Sequence, residues 1–146
     1  MSISEIYSQN IIEIASRLPL ARRLANPDAS ARKVSRICGS VVEVDLKLKD
    51  GAVIEYGQDI NACALGQTSA SIMAEHIIGS SAAELRALRD QVFSMLKQNG
   101  APPNGKWGEI KYLEPVRDFA PRHASTMLVF DAVVDCLDQI EERVEK

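Results

Sequence analysis

A thiol stands at the head of the run Cys63-Ala64-Leu65-Gly66-Gln67-Thr68-Ser69-Ala70-Ser71-Ile72-Met73, between an extended segment and a helix of small residues. The first backbone N–H groups of a helix lack internal partners, and the helix dipole favours negative charge there. Such a seat suits a thiolate, the form in which cysteine acts as nucleophile or metal ligand. A buried small hydrophobe is the competing reading of Cys63. A second thiol lies earlier, in Cys38-Gly39-Ser40. If the fold brings Cys38 and Cys63 together, they could also work as a redox pair. Serine-nucleophile chemistry has no support, because the chain has no Gly-x-Ser-x-Gly elbow. Nor does it carry a phosphate-binding glycine loop.

Composition narrows the setting. The chain has 146 residues, 46% hydrophobic and 25% charged, which fits one ordinary globular domain spanning 1–146. A net charge of −3 argues against nucleic acid or an anionic membrane as partner, since both call for a positive surface. No apolar run approaches the ~20 residues that span a bilayer. The opening Met1-Ser2-Ile3-Ser4-Glu5 does not read as a signal peptide. Three widely spaced cysteines do not form a secreted disulfide framework, so the cytoplasm is the expected compartment.

The elements that must hold the thiols follow from patterning. Ser2 and Glu5 have capping-box spacing, and Ile3, Tyr7, Ile11, Ile14 and Leu18 recur at helical period. The stretch over 20–37, with Arg22, Arg23, Arg32, Lys33, Arg36 and an Asn-Pro-Asp turn, reads as irregular and solvated. Its five cations are an alternative docking patch. From Val42 the period becomes two: Val42, Val44, Leu46 and Leu48 face one way, and Glu43, Asp45, Lys47 and Lys49 the other. Asp50-Gly51 predicts a tight hairpin to a strand over 52–56. Gly57 would be a break or bulge before a weaker third strand over 58–62. The helix after Cys63 should end at Gly79 and pack its small residues on the sheet. Ser81 and Glu84 form another capping box, opening a helix with Leu85, Leu88, Val92, Met95 and Leu96 inside. One or two helical turns over 107–113, ended by Pro115, and a last helix over 125–143 complete the chain. That helix turns Phe130, Val133, Cys136 or Leu137, Ile140 and Val144 inward.

The order of Cys38-Gly39-Ser40, the hairpin over 42–56, Cys63-Ala64 leading into Ser69-Ala70-Ser71-Ile72-Met73, and Ile78-Gly79-Ser80-Ser81 resembles the NifU-like iron–sulfur scaffold family, which includes SufU and IscU. The segment with Trp107, Leu113, Val116, Phe119 and Arg122 is more similar to the SufU branch. The resemblance implies an α+β fold: a small antiparallel three-stranded sheet packed against about five helices. It also implies a scaffold or sulfur-transfer protein rather than an enzyme. Such a protein accepts sulfur from a cysteine desulfurase and holds iron, an iron–sulfur cluster or zinc, and would be a monomer or a homodimer.

Carried over position by position, the implied ligands are Cys38 and Cys63. Ser40 stands where the family has aspartate, and Ser125 where it has a third cysteine. A serine hydroxyl stays protonated near neutral pH and suits soft metals poorly. Among possible substitutes, Cys136 would sit about 16 Å along the last helix from Ser125 and reads as core. His123, two residues before Ser125, is the better candidate, with a surface-loop histidine as its alternative reading. His76, about 20 Å along its helix from Cys63, reads as exposed or capping. Asp59 and Asp118 are oxygen donors that nothing in the sequence places at the site. Two functions follow: a scaffold or sulfur acceptor working through Cys38 and Cys63, or a cluster-free paralogue that regulates a desulfurase or another assembly partner and carries no cofactor.

Overall fold

A computed structural model of the chain describes residues 7–37 and 39–145, with side-chain burial described through Arg143. The Ser2–Glu5 capping box, Ile3, Cys38 and the side chain of Val144 lie outside the described residues. Among the described residues, helix α1 is Gln9–Ser16, and its N-cap is Ser8, whose Oγ accepts from the Ile11 N–H at 3.3 Å. Ile11, Ile14 and Ala15 are its buried face.

The sheet is a three-stranded antiparallel meander, in the order β1 (Ala29–Val34), β2 (Val41–Lys49), β3 (Ala52–Asn61). Its membership corrects the sequence expectation. The basic stretch is not wholly irregular: its second half forms β1, where Ala29 and Ala31 go inward and Ser30 and Arg32 stay exposed. The expected third strand over 58–62 is instead the far half of a continuous β3. Asp50 and Gly51 both take positive φ, at 54° and 80°, the conformation a tight two-residue hairpin needs. The irregularity in the ladder falls between Lys47 and Leu48 rather than at Gly57. Gly57 is buried because the chain crosses over it. A Cβ there would lie 2.6 Å from the carbonyl oxygen of Arg22, which bridges to Gln58.

That crossing segment also covers Asp45, which strand alternation assigns to solvent. Asp45 is buried beneath it, accepting hydrogen bonds from Arg23 at 2.7 and 2.9 Å, from the Leu24 N–H at 2.9 Å and from Ser30 Oγ at 2.5 Å. Burial pushes this carboxyl up, but the bonds from Arg23, Ser30 and Leu24 outweigh it and bring the pKa to about 2.

Helix α2 (Ala64–His76) packs its small residues mainly on other helices, not on the sheet as expected. Thr68 Oγ1 donates to the Ile11 carbonyl of α1 at 3.2 Å, and Ser69 Oγ to the Thr126 carbonyl at 2.8 Å. Helix α3 (Ala82–Lys97) starts at Ser81 and buries the five residues expected of it. The next segment, Gly105–Asp118, is a run of 3-10 helix with Pro115 inside it, longer than the one or two turns expected. Trp107, Ile110, Leu113 and Val116 are its buried residues. Their spacing of three is the repeat of a 3-10 helix, which aligns them on one face. Helix α4 (His123–Glu145) follows a short 3-10 turn, Ala120–Arg122. It packs against β1, β2, α2 and α3, and both Cys136 and Leu137 are in the core. Four α-helices and the long 3-10 segment around one antiparallel sheet make the α+β architecture that the sequence implied.

Candidate functional site

Pairing of Val41 with Asn61 puts the start of β2 and the end of β3 at the same end of the sheet. The loop through Gly39 and Ser40 therefore enters the sheet where the chain leaves for Cys63. Gly39 takes φ 73°, and its N–H bonds the Ser35 carbonyl at 2.8 Å. Ser40 is 2% exposed, with its carbonyl held by the Ser35 N–H at 2.8 Å. Cys38, between these residues and Ile37, lies outside the described residues.

Cys63 is a free thiol at the N-cap of α2, in extended conformation (φ −68°, ψ 173°) and half-buried. Its side chain makes no capping bond. It meets the start of α4 instead, with Sγ 3.6 Å from Ser125 Oγ. Ser125 is 1% exposed, and its hydroxyl donates to the Arg122 carbonyl at 3.2 Å. Thr126 Oγ1 donates to the same carbonyl at 2.9 Å. Two helix starts thus converge on one sulfur and one oxygen. Gly66 permits the approach: a Cβ there would lie 2.7 Å from the Ala62 Cβ and 3.3 Å from the Ser125 carbonyl oxygen.

The other candidates are elsewhere or otherwise engaged. His123 is not a surface-loop residue: it is 4% exposed and is the first residue of α4. Its Nε2 lies 3.0 and 3.1 Å from the carbonyls of Val116 and Arg117. Carbonyls only accept, so the proton sits on Nε2 and ties α4 to the 3-10 segment. Nδ1 is buried with no hydrogen-bond partner among the described residues. Asp59 and Asp118 are exposed. Cys136 points its thiol at the Val44 carbonyl, and burial, with Asp135 and Asp45 nearby, pushes its pKa up to about 12. That thiol is inert core.

His76 is half-buried and edge-on to Trp107, with ring centroids 5.9 Å apart. With Glu75 and Glu109 it forms a group that sequence spacing does not reveal, its ligand atoms all within 4.8 Å of one another. Arg17 already occupies both carboxylates at 2.9 Å, joining the end of α1 to α2 and the 3-10 segment. It is an ion-pair clasp.

As a seat for a resident metal, the described donors at the Cys63 end are incomplete. Structural zinc takes four good N or S ligands, and iron–sulfur clusters are held by cysteine thiolates. Here one sulfur faces one hydroxyl whose proton is committed to a carbonyl.

No helix of the described residues is long and apolar enough to cross a membrane. No family model matches the chain. Among solved structures, the N-terminal NifU-like protein from Brucella abortus is 51% identical, covers 97% of this chain and 98% of its own, and superposes with a TM-score of 0.94. An iron–sulfur cluster assembly scaffold protein for the SUF system, from Fervidobacterium islandicum, shares the fold at 18% identity, with 93% and 99% coverage and a TM-score of 0.83. The iron–sulfur cluster assembly scaffold protein IscU of Thermotoga maritima is 23% identical over 140 residues, 96% of this chain and 98% of the relative. Its counterpart in Streptococcus pyogenes is 26% identical over 100 residues, 68% of this chain and 63% of the relative. The α+β architecture, the thiol at the α2 start and these likenesses agree: the chain belongs to the NifU-like family, with SufU and IscU proteins among its relatives.

Proposed function

We propose that this chain serves iron–sulfur cluster assembly as a single-domain, cytoplasmic scaffold or sulfur acceptor. Its cargo of sulfur, iron or a nascent cluster is taken through the thiols of Cys63 and Cys38. The observation that carries this reading is the seat of Cys63, half-exposed at a helix start and free of any capping bond. The N–H groups of the first turn favour negative charge at that point.

A sulfur transfer there balances without an outside oxidant. The Cys63 thiolate attacks the outer sulfur of a donor persulfide, such as that of a cysteine desulfurase. A new S–S bond forms on Cys63, the donor's S–S bond breaks, and the donor leaves as its own thiolate. Ser125 Oγ lies 3.6 Å from the Cys63 sulfur, and Ser40 and Ser125 are both buried.

The test is anaerobic incubation with a cysteine desulfurase and cysteine, read by intact-mass spectrometry. Wild type should gain single-sulfur increments, and the Cys63→Ser variant should lose them on peptides containing residue 63. Equal sulfur and iron uptake by a Cys38→Ser/Cys63→Ser double variant would overturn the reading. A cluster-free regulatory role is favoured by one observation: both serines at the implied ligand positions are buried and built into the surrounding structure. It predicts that the double variant still binds the desulfurase and alters its rate.

A further inference from the structure

Six large apolar side chains are exposed among the described residues, and three of them, Leu20, Ile54 and Ile78, line one cleft. Leu20 is 93% exposed. The cleft holds about 490 Å³ between β3, the end of α2 and the segment that crosses over Gly57. Backbone bonds pin both of its ends. At one, the Arg22 N–H donates to the Gln58 carbonyl at 3.0 Å; at the other, Gly79 and Ser80 bond Val53 at 2.8 and 2.9 Å. Between these ties, β3 is the outer strand of the sheet, and its edge over 54–56 has no further strand partner among the described residues. Open main-chain groups on an edge are a template for an incoming strand. Lys47 pairs with Glu55 and Leu48 with Val53, so Ile54 is an extra residue in the ladder and keeps the open stretch short. Three extended residues span about 10 Å.

The lining also says what the occupant carries. Arg22 lines this cleft and the adjoining one, where Lys47 joins it. Neither cation has an ion-pair partner among the described residues, although the chain as a whole is acidic at −3. Glu55 is the carboxylate shared by the two clefts. The floor includes Gln58, 5% exposed, whose Oε1 accepts from the Tyr56 hydroxyl at 2.6 Å. Its Nε2 has no partner among the described residues. A buried donor left unmade is costly, and a peptide carbonyl would supply the missing acceptor.

We propose that this cleft docks a short extended segment of a partner protein. One large apolar side chain of the segment seats against Leu20, Ile54 and Ile78, and an acidic side chain just beyond it faces Arg22 and Lys47. The segment's main chain adds to the open edge of β3. The site is separate from the cargo thiols: Ala74, its residue on α2, is eleven residues past Cys63, about 16 Å along the helix. A docked segment therefore stays clear of Cys63.

The experiment titrates the full isotope-labelled chain with the peptide acetyl-Thr-Leu-Val-Asp-Glu-amide and follows backbone amide shifts. Saturable shifts are expected over 19–22, 54–58 and 74–78. Leu20→Ser should weaken binding about tenfold with an unchanged melting temperature, because the side chain it removes is already exposed. Arg22→Gln keeps the backbone tie and should weaken binding about threefold, as should Asn-Gln in place of the peptide's Asp-Glu. Glu55→Gln should tighten it about twofold. The proposal is overturned if millimolar peptide gives no saturable shift, if Leu20→Ser binds like wild type, or if the shifts centre on Val34 and Ile37. Equal affinity for 4-methylpentanoate alone would make this a small-molecule site and refute the strand. Shifts at the cleft that depend on protein concentration without peptide would assign it to a second copy, and also refute the proposal.

Discussion

Helices α2 and α3 begin alike in backbone and oppositely in chemistry. Cys63 and Ser81 are both N-caps in extended conformation, with ψ 173° and 163°. Ser81 spends its side chain on the helix, accepting from the Glu84 N–H at 3.1 Å. Around it, Glu84 accepts from Trp107 Nε1 at 2.8 Å and pairs with Lys106 at 3.1 Å, while Lys106 also donates to Ser80 Oγ at 2.7 Å. At the α3 start every polar group named here has a partner within the molecule. At the α2 start the cap residue leaves the helix N–H groups uncapped by its side chain and keeps a thiol half-exposed. One start is spent on stability; the other holds stability back.

The largest effect should come from breaking the α3 start. Glu84→Ala removes the acceptor of a Trp107 indole that is 6% exposed and the partner of Lys106, and should cost about 2 kcal/mol in urea unfolding. A loss under ~0.5 kcal/mol would mean that the network is decoration. The same carboxylate gives the comparison a pH signature. Burial pushes Glu84 up, but the bonds from Trp107 and Lys106 win and hold it below its ordinary value of 4.5. Its stabilisation is therefore complete above that value and fades as pH falls through the lowered one. Acid titration of Glu84→Gln should show a flatter loss of stability than wild type.

Smaller effects sharpen the contrast. Ser81→Ala should cost about 1 kcal/mol, the usual worth of a lost serine cap. Cys63→Ser should move the other way, stabilising the fold by about 0.5 kcal/mol, because serine caps α2 where cysteine does not. The same variant should lose sulfur uptake. A Cys63→Ser protein less stable than wild type in thermal melts would show that this start is not holding stability back.

Much of the frame was readable where one residue type answers one local need. Alternation over 42–48, the Asp50-Gly51 turn and the Ser81 cap all became the elements they announced. Strand β1 was hidden because its inward residues are Ala29 and Ala31, too small to give a hydrophobic alternation, while half-buried Lys33 follows on their face and an apolar Val34 is exposed. What makes it a strand is the ladder with β2, a partner distant in sequence. Asp45 was misread for a related reason: alternation gives the face but not what later covers it. Trp107, Ile110, Leu113 and Val116 carried a period of three that a search for 3.6 does not find. At the site, the seam below Cys63 and the place of Ser125 were legible, and 3.6 Å joins them. The burial of His123 was not, since its partners are the carbonyls of Val116 and Arg117, which no side-chain pattern announces.

The β2–β3 hairpin has a practical consequence. Its open end leads into Ser40 and Cys63, and its closed end is Asp50-Gly51, where residue 50 and Gly51 are exposed. Eight residue steps of strand separate them, about 27 Å. The tip is thus the natural place to graft a fluorophore, an affinity tag or a tether to a surface. A label there would sit at the far end of the hairpin from Ser40 and Cys63.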